Sequence, residues 1–368
     1  MSTMSRRKML SLVGGGTVLA ATGASAAFLA TRTPHAALAP WDRAGSYGDP
    51  RLRALSWGLL APNPHNRQPW QAELRGTDTV AIWRDVARDL PVTDPFARQL
   101  TIGMGCFIEL TRMAAAQDGL DTEISLFPDG EHGPVATMTF APGGMPDPLF
   151  AHALNRRSHK DAFDRRPLGP EAADLTRHAQ IIADGPQLAT LRDHAVTAWE
   201  TEAATPDAWQ ESIDLLRIGK AEINANPDGI DLGGRLFETL KLLGLLTHEN
   251  AGDVRNPNVQ ASIRDTSEAI RSASAMTLTT TPGNTRQDQI AAGVSWLRLN
   301  LATTGAGLAL RPVSQALQEY PEVAPIRDTL HAQFAPNGET VQMLGLLGYG
   351  TRTPRTPRWP LETRLRNA

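Results

Sequence analysis

Cysteine is almost absent from this chain of 368 residues, whose single thiol is Cys106. One cysteine excludes an intramolecular disulfide framework, and it excludes zinc or iron–sulfur sites that are built from clustered thiolates. A basic excess is also missing, because 36 Lys and Arg stand against 39 Asp and Glu. The charge therefore gives no support to nucleic-acid binding. The G-x-S-x-G and H-E-x-x-H motifs of serine and metal hydrolases do not occur.

Aromatic residues are scarce at 5% of the chain, so we expect a core of aliphatic side chains and alanine. Hydrophobic residues make up 41%, and 31 glycines add to them. Together they reach the usual apolar share of a globular chain, which excludes a disordered protein. The length allows about two or three domains.

The N-terminal residues have the layout of an export signal. The basic residues 6–8 precede an uncharged run from Met9 to Ala30, and residues 24–26 offer an A-x-A cleavage site. The paired arginines followed by Met-Leu resemble a twin-arginine signal. We expect residues 1–40 to be a targeting segment and the protein to be exported by the twin-arginine machinery. A retained leader stays open, because 22 uncharged residues are long enough to tether the chain to a membrane.

Two alanine- and glycine-rich segments, 102–120 and 290–308, predict a pair of related helices. At an offset of 188 residues, Gly105 corresponds to Gly293 and Gly119 corresponds to Gly307. A small-residue face suits a helix that packs closely inside a domain. The match indicates an internal duplication, although two helices of this composition could also agree by coincidence.

Strand-like runs accompany both predicted helices, at residues 79–83, 121–127, 135–140 and 341–347. The proline- and glycine-rich stretch 141–148 is the expected boundary between the halves. We therefore expect a first half at 41–148 and a second half at 149–368.

A helical insertion at about 205–275 is expected inside the second half. It contains the leucine-rich segment 236–246, which is apolar around much of its circumference. This pattern fits a buried helix, and it also fits a lid over a site or a membrane-facing patch.

The segment Leu59–Trp70, LLAPNPHNRQPW, combines three prolines with several amide side chains. Amides donate and accept hydrogen bonds at once, which suits the edge of a heteroaromatic ring. The same residues would also build a rigid structural turn. His65 stands beside the amides, but a lone histidine is more often structural than catalytic, and we assign no catalytic residue.

Two basic segments could hold a phosphate. In Leu154–Pro167, LNRRSHKDAFDRRP, a helix would place Arg156 and Lys160 on one face, since they are spaced i,i+4. Guanidinium matches phosphate in a forked geometry. The segment Leu344–Arg358 ends in a tail with Arg358, which could add a cation to the same phosphate. Each segment alone could equally be a solvated basic surface.

Taken together, these motifs resemble those of the FMN-dependent nitroreductase superfamily, and most closely its double-length branch, the Acg-family FMN-binding oxidoreductases. APNPHNRQPW is similar to the loop whose Asn and Gln reach the flavin, and NRRSHK is similar to the Arg-Arg-Ser-x-Arg phosphate motif. Gly305-Ala306-Gly307-Leu308 resembles a Gly-Leu-Gly segment near the isoalloxazine, and the tail resembles a phosphate-binding C-terminus. Lys160, Ala306 and Trp359 depart from the family pattern.

The resemblance implies an α+β fold of two nitroreductase-like halves, each a mixed β-sheet flanked by helices, that form a monomeric pseudo-dimer. It implies FMN as the cofactor, with small-molecule electron donors and acceptors as partners. The implied cofactor-binding residues are Asn66, Gln68, Pro69, Arg156, Arg157, Ser158, Lys160, Gly305, Gly307 and Arg358.

The distribution of the motifs predicts one composite site per chain. The amide loop occurs only in the first half, and the Arg-Arg-Ser segment and the tail occur only in the second. Bound FMN would carry electrons by ping-pong transfer to a nitro compound, a quinone or a similar acceptor. The alternative is a protein that stores or sequesters FMN without turnover.

Overall fold

The computed structural model describes residues 31–366. The leader, residues 9–30 included, lies outside this range. Among the described residues, no helix is both long enough and apolar enough to cross a membrane. The helices span His35–Arg43 (α1), Pro50–Gly58 (α2), Arg98–Gln117 (α3), Gly185–Ala204 (α4), Pro206–Asp214 (α5), Gly219–Ala225 (α6), Arg235–Leu242 (α7), His248–Gly252 (α8), Pro257–Ser272 (α9), Arg286–Gly305 (α10) and Ala324–Phe334 (α11).

The described strands form two four-stranded sheets and one small pair. The strands are Trp70–Arg75 (β1), Thr79–Arg84 (β2), Leu120–Leu126 (β3), Ala136–Pro142 (β4), Gln180–Ile182 (β5), Leu216–Ile218 (β6), Ile230–Leu232 (β7), Ala275–Thr281 (β8), Ala309–Pro312 (β9) and Thr340–Gly348 (β10). The sheet orders are β1-β2-β4-β3 and β5-β8-β10-β9, and β6 pairs with β7.

The pairing differs from the mixed sheets that the family resemblance implied. Every pair of neighbouring strands within the two four-stranded sheets is antiparallel. A parallel bridge instead joins Ala72 of β1 to Leu365 in the C-terminal tail. The tail thus returns from the second sheet to the edge of the first, where Arg366 N donates to the Ala72 carbonyl at 2.9 Å.

Helices α3 and α10 cross at the two glycines that the repeat paired. A Cβ on Gly105 would lie 2.3 Å from the Ile290 carbonyl oxygen, and a Cβ on Gly293 would lie 2.0 Å from that of Ile102. Because Ile290 stands 188 residues after Ile102, the two contacts are reciprocal at the predicted offset. The glycines allow the backbones to approach more closely than any side chain would permit.

Helix α1 begins inside the segment that the sequence assigned to the leader. Its residues Ala37 and Trp41 are buried, and the Ala37 carbonyl accepts from Arg358 N at 2.8 Å. Trp41 Nε1 donates to the Thr356 carbonyl at 2.8 Å. Residues 35–40 therefore belong to the folded body, because they pack against the C-terminal tail.

The region 205–275, predicted to be an insertion, contains α5 to α9 and the small β6–β7 pair. Its leucine-rich segment is not a buried helix. Helix α7 covers only the first part of it, and Leu236, Leu242, Leu243 and Leu245 are 47–69% exposed. The buried-helix interpretation is therefore wrong.

Candidate functional site

The loop that follows α2 is held in a strained backbone conformation. His65, Asn66 and Gln68 have φ values of 45°, 52° and 51°, in the left-handed region that non-glycine residues seldom adopt. The Asn63 side chain fixes this shape, because its Oδ1 accepts from Gln68 N at 2.7 Å. Strain of this kind is concentrated at functional sites.

The two amides that sequence assigned to the flavin also bond the protein itself. Asn66 Nδ2 donates to the Pro357 carbonyl at 3.1 Å, and Asn66 Oδ1 accepts from Arg358 Nη1 at 2.6 Å. Gln68 is fully buried; its Nε2 donates to the Pro227 carbonyl at 2.7 Å, and its Oε1 accepts from Trp359 N at 2.8 Å. The amides therefore tie the loop to the tail and to the insertion.

Pro69 closes the loop. It is buried at the start of β1, and its carbonyl accepts from Asp85 N at 2.7 Å. Because the proline ring fixes φ, Pro69 restricts the backbone at the point where the strained loop ends and β1 begins.

The Arg-Arg-Ser segment forms neither helix nor strand, so Arg156 and Lys160 do not share the helical face that their spacing would give. Two tertiary bonds hold the segment: Arg156 Nη2 donates to the Leu60 carbonyl at 2.9 Å, and His159 N donates to the Leu310 carbonyl at 2.9 Å. Ser158 borders one cavity of the structure, and Arg157 borders another.

Lys160 does not join Arg156 on a common face. Its Nζ pairs with Asp231 of β7 at 2.9 Å, in a partly exposed ion pair. Lys160 thus connects the basic segment to the insertion.

Arg156, Arg157 and Arg358 converge beside the loop. Arg358 is buried and donates through Nε to the Leu59 carbonyl at 2.7 Å, while Arg156 bonds the next carbonyl, that of Leu60. Both carbonyls lie at the C-terminal end of α2, where the helix dipole favours a cation. Within residues 31–366, none of the three arginines forms an ion pair with a carboxylate.

Several N–H groups of this cluster have no acceptor in the described structure. Arg156 Nε and Nη1 and Arg157 Nε are buried without a hydrogen-bond partner. Burial lowers the pKa of Arg156 to about 10. Burial, together with repulsion from Arg352 and Arg156, lowers the pKa of Arg157 to about 9. An anion at this position would accept from the free N–H groups and reverse the lowering.

Trp41 of α1 packs against the same cluster. The guanidinium carbons of Arg157, Arg355 and Arg358 lie 4.7, 5.5 and 5.6 Å from the centre of its ring. Cation–π attraction offsets part of the repulsion between the arginines. Trp41 was not predicted as a site residue, because it lies next to the segment assigned to the leader.

Two cavities lie on either side of the Arg-Arg-Ser segment. The first, which we call the loop cavity, has a volume of about 170 Å³ and is bordered by residues 62–65 and Ser158. It brings the first half and the second half together. Its other lining residues are Gln99, Ile102, Gly103, Cys106, Trp296, Pro312, Ser314, Gln315 and Met343.

The second cavity, which we call the Arg157 cavity, has a volume of about 310 Å³. Arg157, Arg352 and Gly307 border it, and Gly307 has a φ of 71°. Gly305 lies elsewhere, because a Cβ there would lie 2.6 Å from His152 Nε2. The two glycines that the sequence grouped therefore face different surroundings.

The loop cavity also contains residues that the motifs did not single out. Pro312 is the last residue of β9, and Ser314 and Gln315 follow the strand; all three line the cavity. Only a proline at the end of a short strand marks them in the sequence, which is too weak a signal to predict a site.

Two titratable groups on the loop cavity are held uncharged by burial. Burial lowers the pKa of His65, which favours its neutral form. Burial raises the pKa of Cys106 to about 12, and its Sγ donates to the Gly293 carbonyl at 3.1 Å. Cys106 is therefore a packed thiol and not a nucleophile.

The insertion is bonded over the loop by a buried charge cluster. Asp228 forms ion pairs with three arginines. Its carboxylate oxygens lie 2.6 Å from Arg88 Nη1, 2.9 Å from Arg217 Nη2 and 3.7 Å from Arg67 Nη1. Gly229 N donates to the Asn66 carbonyl at 3.3 Å. These contacts hold Asp228 and Gly229 against the loop.

No family model matches the chain, and no curated protein matches it. Two solved structures are similar to parts of it. One is the FMN-dependent nitroreductase NfnB from Mycobacterium smegmatis in complex with NADPH, which is 18% identical with a TM-score of 0.34, over 58% of this chain and 95% of that one. The other, from Anabaena variabilis, is described as a candidate nitroreductase; it is 12% identical with a TM-score of 0.33, over 79% of this chain and 82% of that one. TM-scores this low carry no argument about this chain.

Proposed function

We propose that this protein is an FMN-binding oxidoreductase of the nitroreductase type with one composite flavin site per chain. The observation that carries the proposal is the cluster of Arg156, Arg157 and Arg358, which has unpartnered N–H groups and no paired carboxylate in the described residues. A phosphate monoester matches the forked guanidinium geometry and supplies the missing negative charge.

The residues of the site fit both the phosphate end and the ring end of FMN. The three arginines would hold the phosphate, and the amphipathic walls of the loop cavity suit a flat ring with polar edges. Bound FMN would supply the redox chemistry. Ser158 offers a hydroxyl to the loop cavity, and neutral His65 offers a hydrogen-bonding ring. Asn66 and Gln68 fix the loop, and no catalytic residue is assigned.

The site would be shared by two halves, 41–148 and 149–368, that descend from one duplicated unit. The reciprocal contacts of Gly105 and Gly293 support this division, because a symmetric pair of units produces paired contacts of this kind. The chain would then be a monomeric pseudo-dimer similar to the Acg-family branch.

We further propose that donor and acceptor take turns at the same site in ping-pong order. The acceptor would be a nitro compound, a quinone or a similar small molecule. NADH and NADPH are the donors to test first, because both transfer a hydride to flavins. The leader would direct the protein out of the cytoplasm through the twin-arginine route.

A second candidate function is FMN sequestration without turnover. The observation that favours it is the insertion, which is bonded to the loop through the contacts of Pro227 and Asp228. A site closed in this way would hold FMN and exclude a second reactant.

The absorption spectrum of the isolated protein tests FMN binding first. We expect a flavin band, with one FMN per chain after reconstitution. A colourless protein that takes up no added FMN would contradict both candidate functions.

Anaerobic reduction then separates the two functions. A reductase is bleached by NADH or NADPH, and its colour returns when a quinone is added. A sequestering protein is bleached by dithionite alone and reduces no acceptor.

A further inference from the structure

Two charged side chains of helix α7, those of Glu238 and Lys241, are bonded to the body of the protein. Glu238 is buried, and its Oε1 accepts from Lys220 N at 2.6 Å. Lys241 Nζ donates to the Ile218 carbonyl at 2.7 Å and to Glu222 Oε1 at 2.6 Å. A helix on a water-exposed surface normally has the opposite arrangement.

The exposed side of the same segment carries four leucines beside Arg235 and Thr239. Leu236, Leu242, Leu243 and Leu245 are 47%, 69%, 55% and 51% exposed. Among residues 31–366, seven large apolar side chains are strongly exposed, and these four fall within ten consecutive residues. We call them the leucine patch. Scattered apolar residues need no explanation, but a concentrated group indicates an interaction surface.

The start of the described chain lies beside this patch. Lys220 Nζ donates to the Thr31 carbonyl at 2.7 Å, and the backbone N of Lys220 bonds Glu238 of α7. The preceding sequence, Met9–Ala30, is uncharged and long enough to span a bilayer. The described chain therefore begins, at Thr31, close to the helix that carries the patch.

We propose that the leucine patch is a membrane-contact surface that inserts into the interfacial region of a phospholipid bilayer beside the leader. The occupant is the bilayer, because the uncharged run that is long enough to span it ends at Ala30, and the next residue, Thr31, bonds Lys220 beside α7. Apolar side chains at the end of an interfacial helix bury themselves at the boundary between headgroups and acyl chains.

The charges around the patch indicate which lipid to use. Residues 220–250 contain three Lys and Arg and five Asp and Glu, a net charge of −2. Attraction to anionic headgroups is therefore not the driving force, and a zwitterionic phosphatidylcholine vesicle is the appropriate probe.

An environment-sensitive fluorophore tests the proposal in the full chain. A Leu243→Cys variant can be labelled selectively, since the native thiol Cys106 is 1% exposed. The matched control is Met145→Cys, which replaces another exposed apolar residue (84% exposed) far along the chain. The protein is mixed with phosphatidylcholine vesicles, with and without brominated acyl chains.

We expect the label at position 243 to shift to shorter wavelength and to be quenched by brominated lipid at least twofold, while the label at position 145 is unchanged. Leu242→Ser with Leu245→Ser should abolish that response while circular dichroism stays native. An unchanged label at 243 on vesicle-bound protein would overturn the proposal, because the leader alone would then hold the membrane. A shift of the label at 243 that occurs in concentrated protein without vesicles would also overturn the proposal. The leucine patch would then contact a second copy of the chain.

Discussion

Arg157 is the residue whose charge is least compensated in the cluster. Its Nη1 bonds only two carbonyls, those of Leu154 and Arg156, and its buried Nε bonds nothing in the described structure. Like charges on Arg352, Arg156 and Arg355 all act against it. A bound anion would therefore stabilise the charge of Arg157 more than that of a surface arginine that already pairs with a carboxylate.

Replacing Arg157 with alanine should therefore weaken FMN binding by about 1.5–3 kcal/mol, the usual value of a charge-assisted hydrogen bond. Quenching of flavin fluorescence in a titration measures the affinity. Arg177→Ala is the control, because Arg177 is exposed and already pairs with Asp174. Equal affinity in both variants would remove Arg157 from the phosphate site.

Trp41 should affect the affinity for FMN indirectly, because its ring contacts the arginines that would hold the phosphate. Trp41→Phe keeps a ring under the guanidiniums but loses the bond to the Thr356 carbonyl, whereas Trp41→Leu loses both. We expect FMN affinity to fall in the order wild type, Phe, Leu, with about 0.5–2 kcal/mol for the ring. Thermal unfolding of each variant is measured in parallel. If Phe and Leu bind FMN equally, the ring does not position the cluster.

At the scale of elements, a buried carboxyl on α4 makes stability depend on pH. Glu202 is 2% exposed, and its Oε2 has no partner in the described structure. Burial raises the pKa of Glu202 to about 7. Because the folded pKa lies above the unfolded value, the penalty is absent below about pH 4.5 and complete above about pH 7.

Glu202→Gln should consequently stabilise the protein at pH 8 by roughly 3 kcal/mol and have little effect at pH 4.5. Urea unfolding at several pH values measures this difference. A variant with the same pH dependence as the wild type would show that Glu202 does not titrate in this range.

The crossing of α3 and α10 is the second feature at the scale of elements. Gly293→Ala places a Cβ 2.0 Å from the Ile102 carbonyl, so α3 and α10 must separate. We expect a loss of about 1–3 kcal/mol in the free energy of unfolding, as for overpacked cores. Gly48→Ala is the control, since nothing lies within 4 Å of its Cβ. Equal stability of the two variants would contradict the close crossing.

Elements with strong periodicity were predictable from sequence, and their tertiary surroundings were not. The helix around Gly105 was expected from residue 102, but α3 begins at Arg98 because the Asp94 carboxylate accepts from Gln99 N and Leu100 N at 3.0 and 2.9 Å. Strands β8 and β9 were missed; four of the seven residues of β8 are threonine, so it lacks a long apolar run although it is buried on both faces, and β9 has only four residues.

The site shows the same division. The amide loop and the Arg-Arg-Ser segment were recognised as unusual, and the structure brings them together at the loop cavity. Arg156 and Lys160 were considered as neighbours on one helix face, but Arg156 bonds the Leu60 carbonyl and its segment forms no helix. Ser314 and Gln315 were not expected, because their place depends on how β9 pairs with β10.

At the scale of the whole molecule, export is the property that the leader predicts. Replacing both Arg6 and Arg7 with lysine keeps the charge but removes the paired guanidiniums that define a twin-arginine signal. We expect the precursor to accumulate in the cytoplasm, as measured by cell fractionation and immunoblotting. Normal export of this variant would show that another route is used.

The reciprocal crossing of α3 and α10 has a consequence for how this chain can change. In an assembly of two identical chains, a mutation at the symmetry axis appears twice and meets its own copy. In this chain α3 and α10 are different stretches of one sequence, so a mutation in one helix can add a contact that the other helix lacks. Cys106 is an instance: its thiol bonds the Gly293 carbonyl, while Val294, its counterpart at the same offset, carries no donor on its side chain.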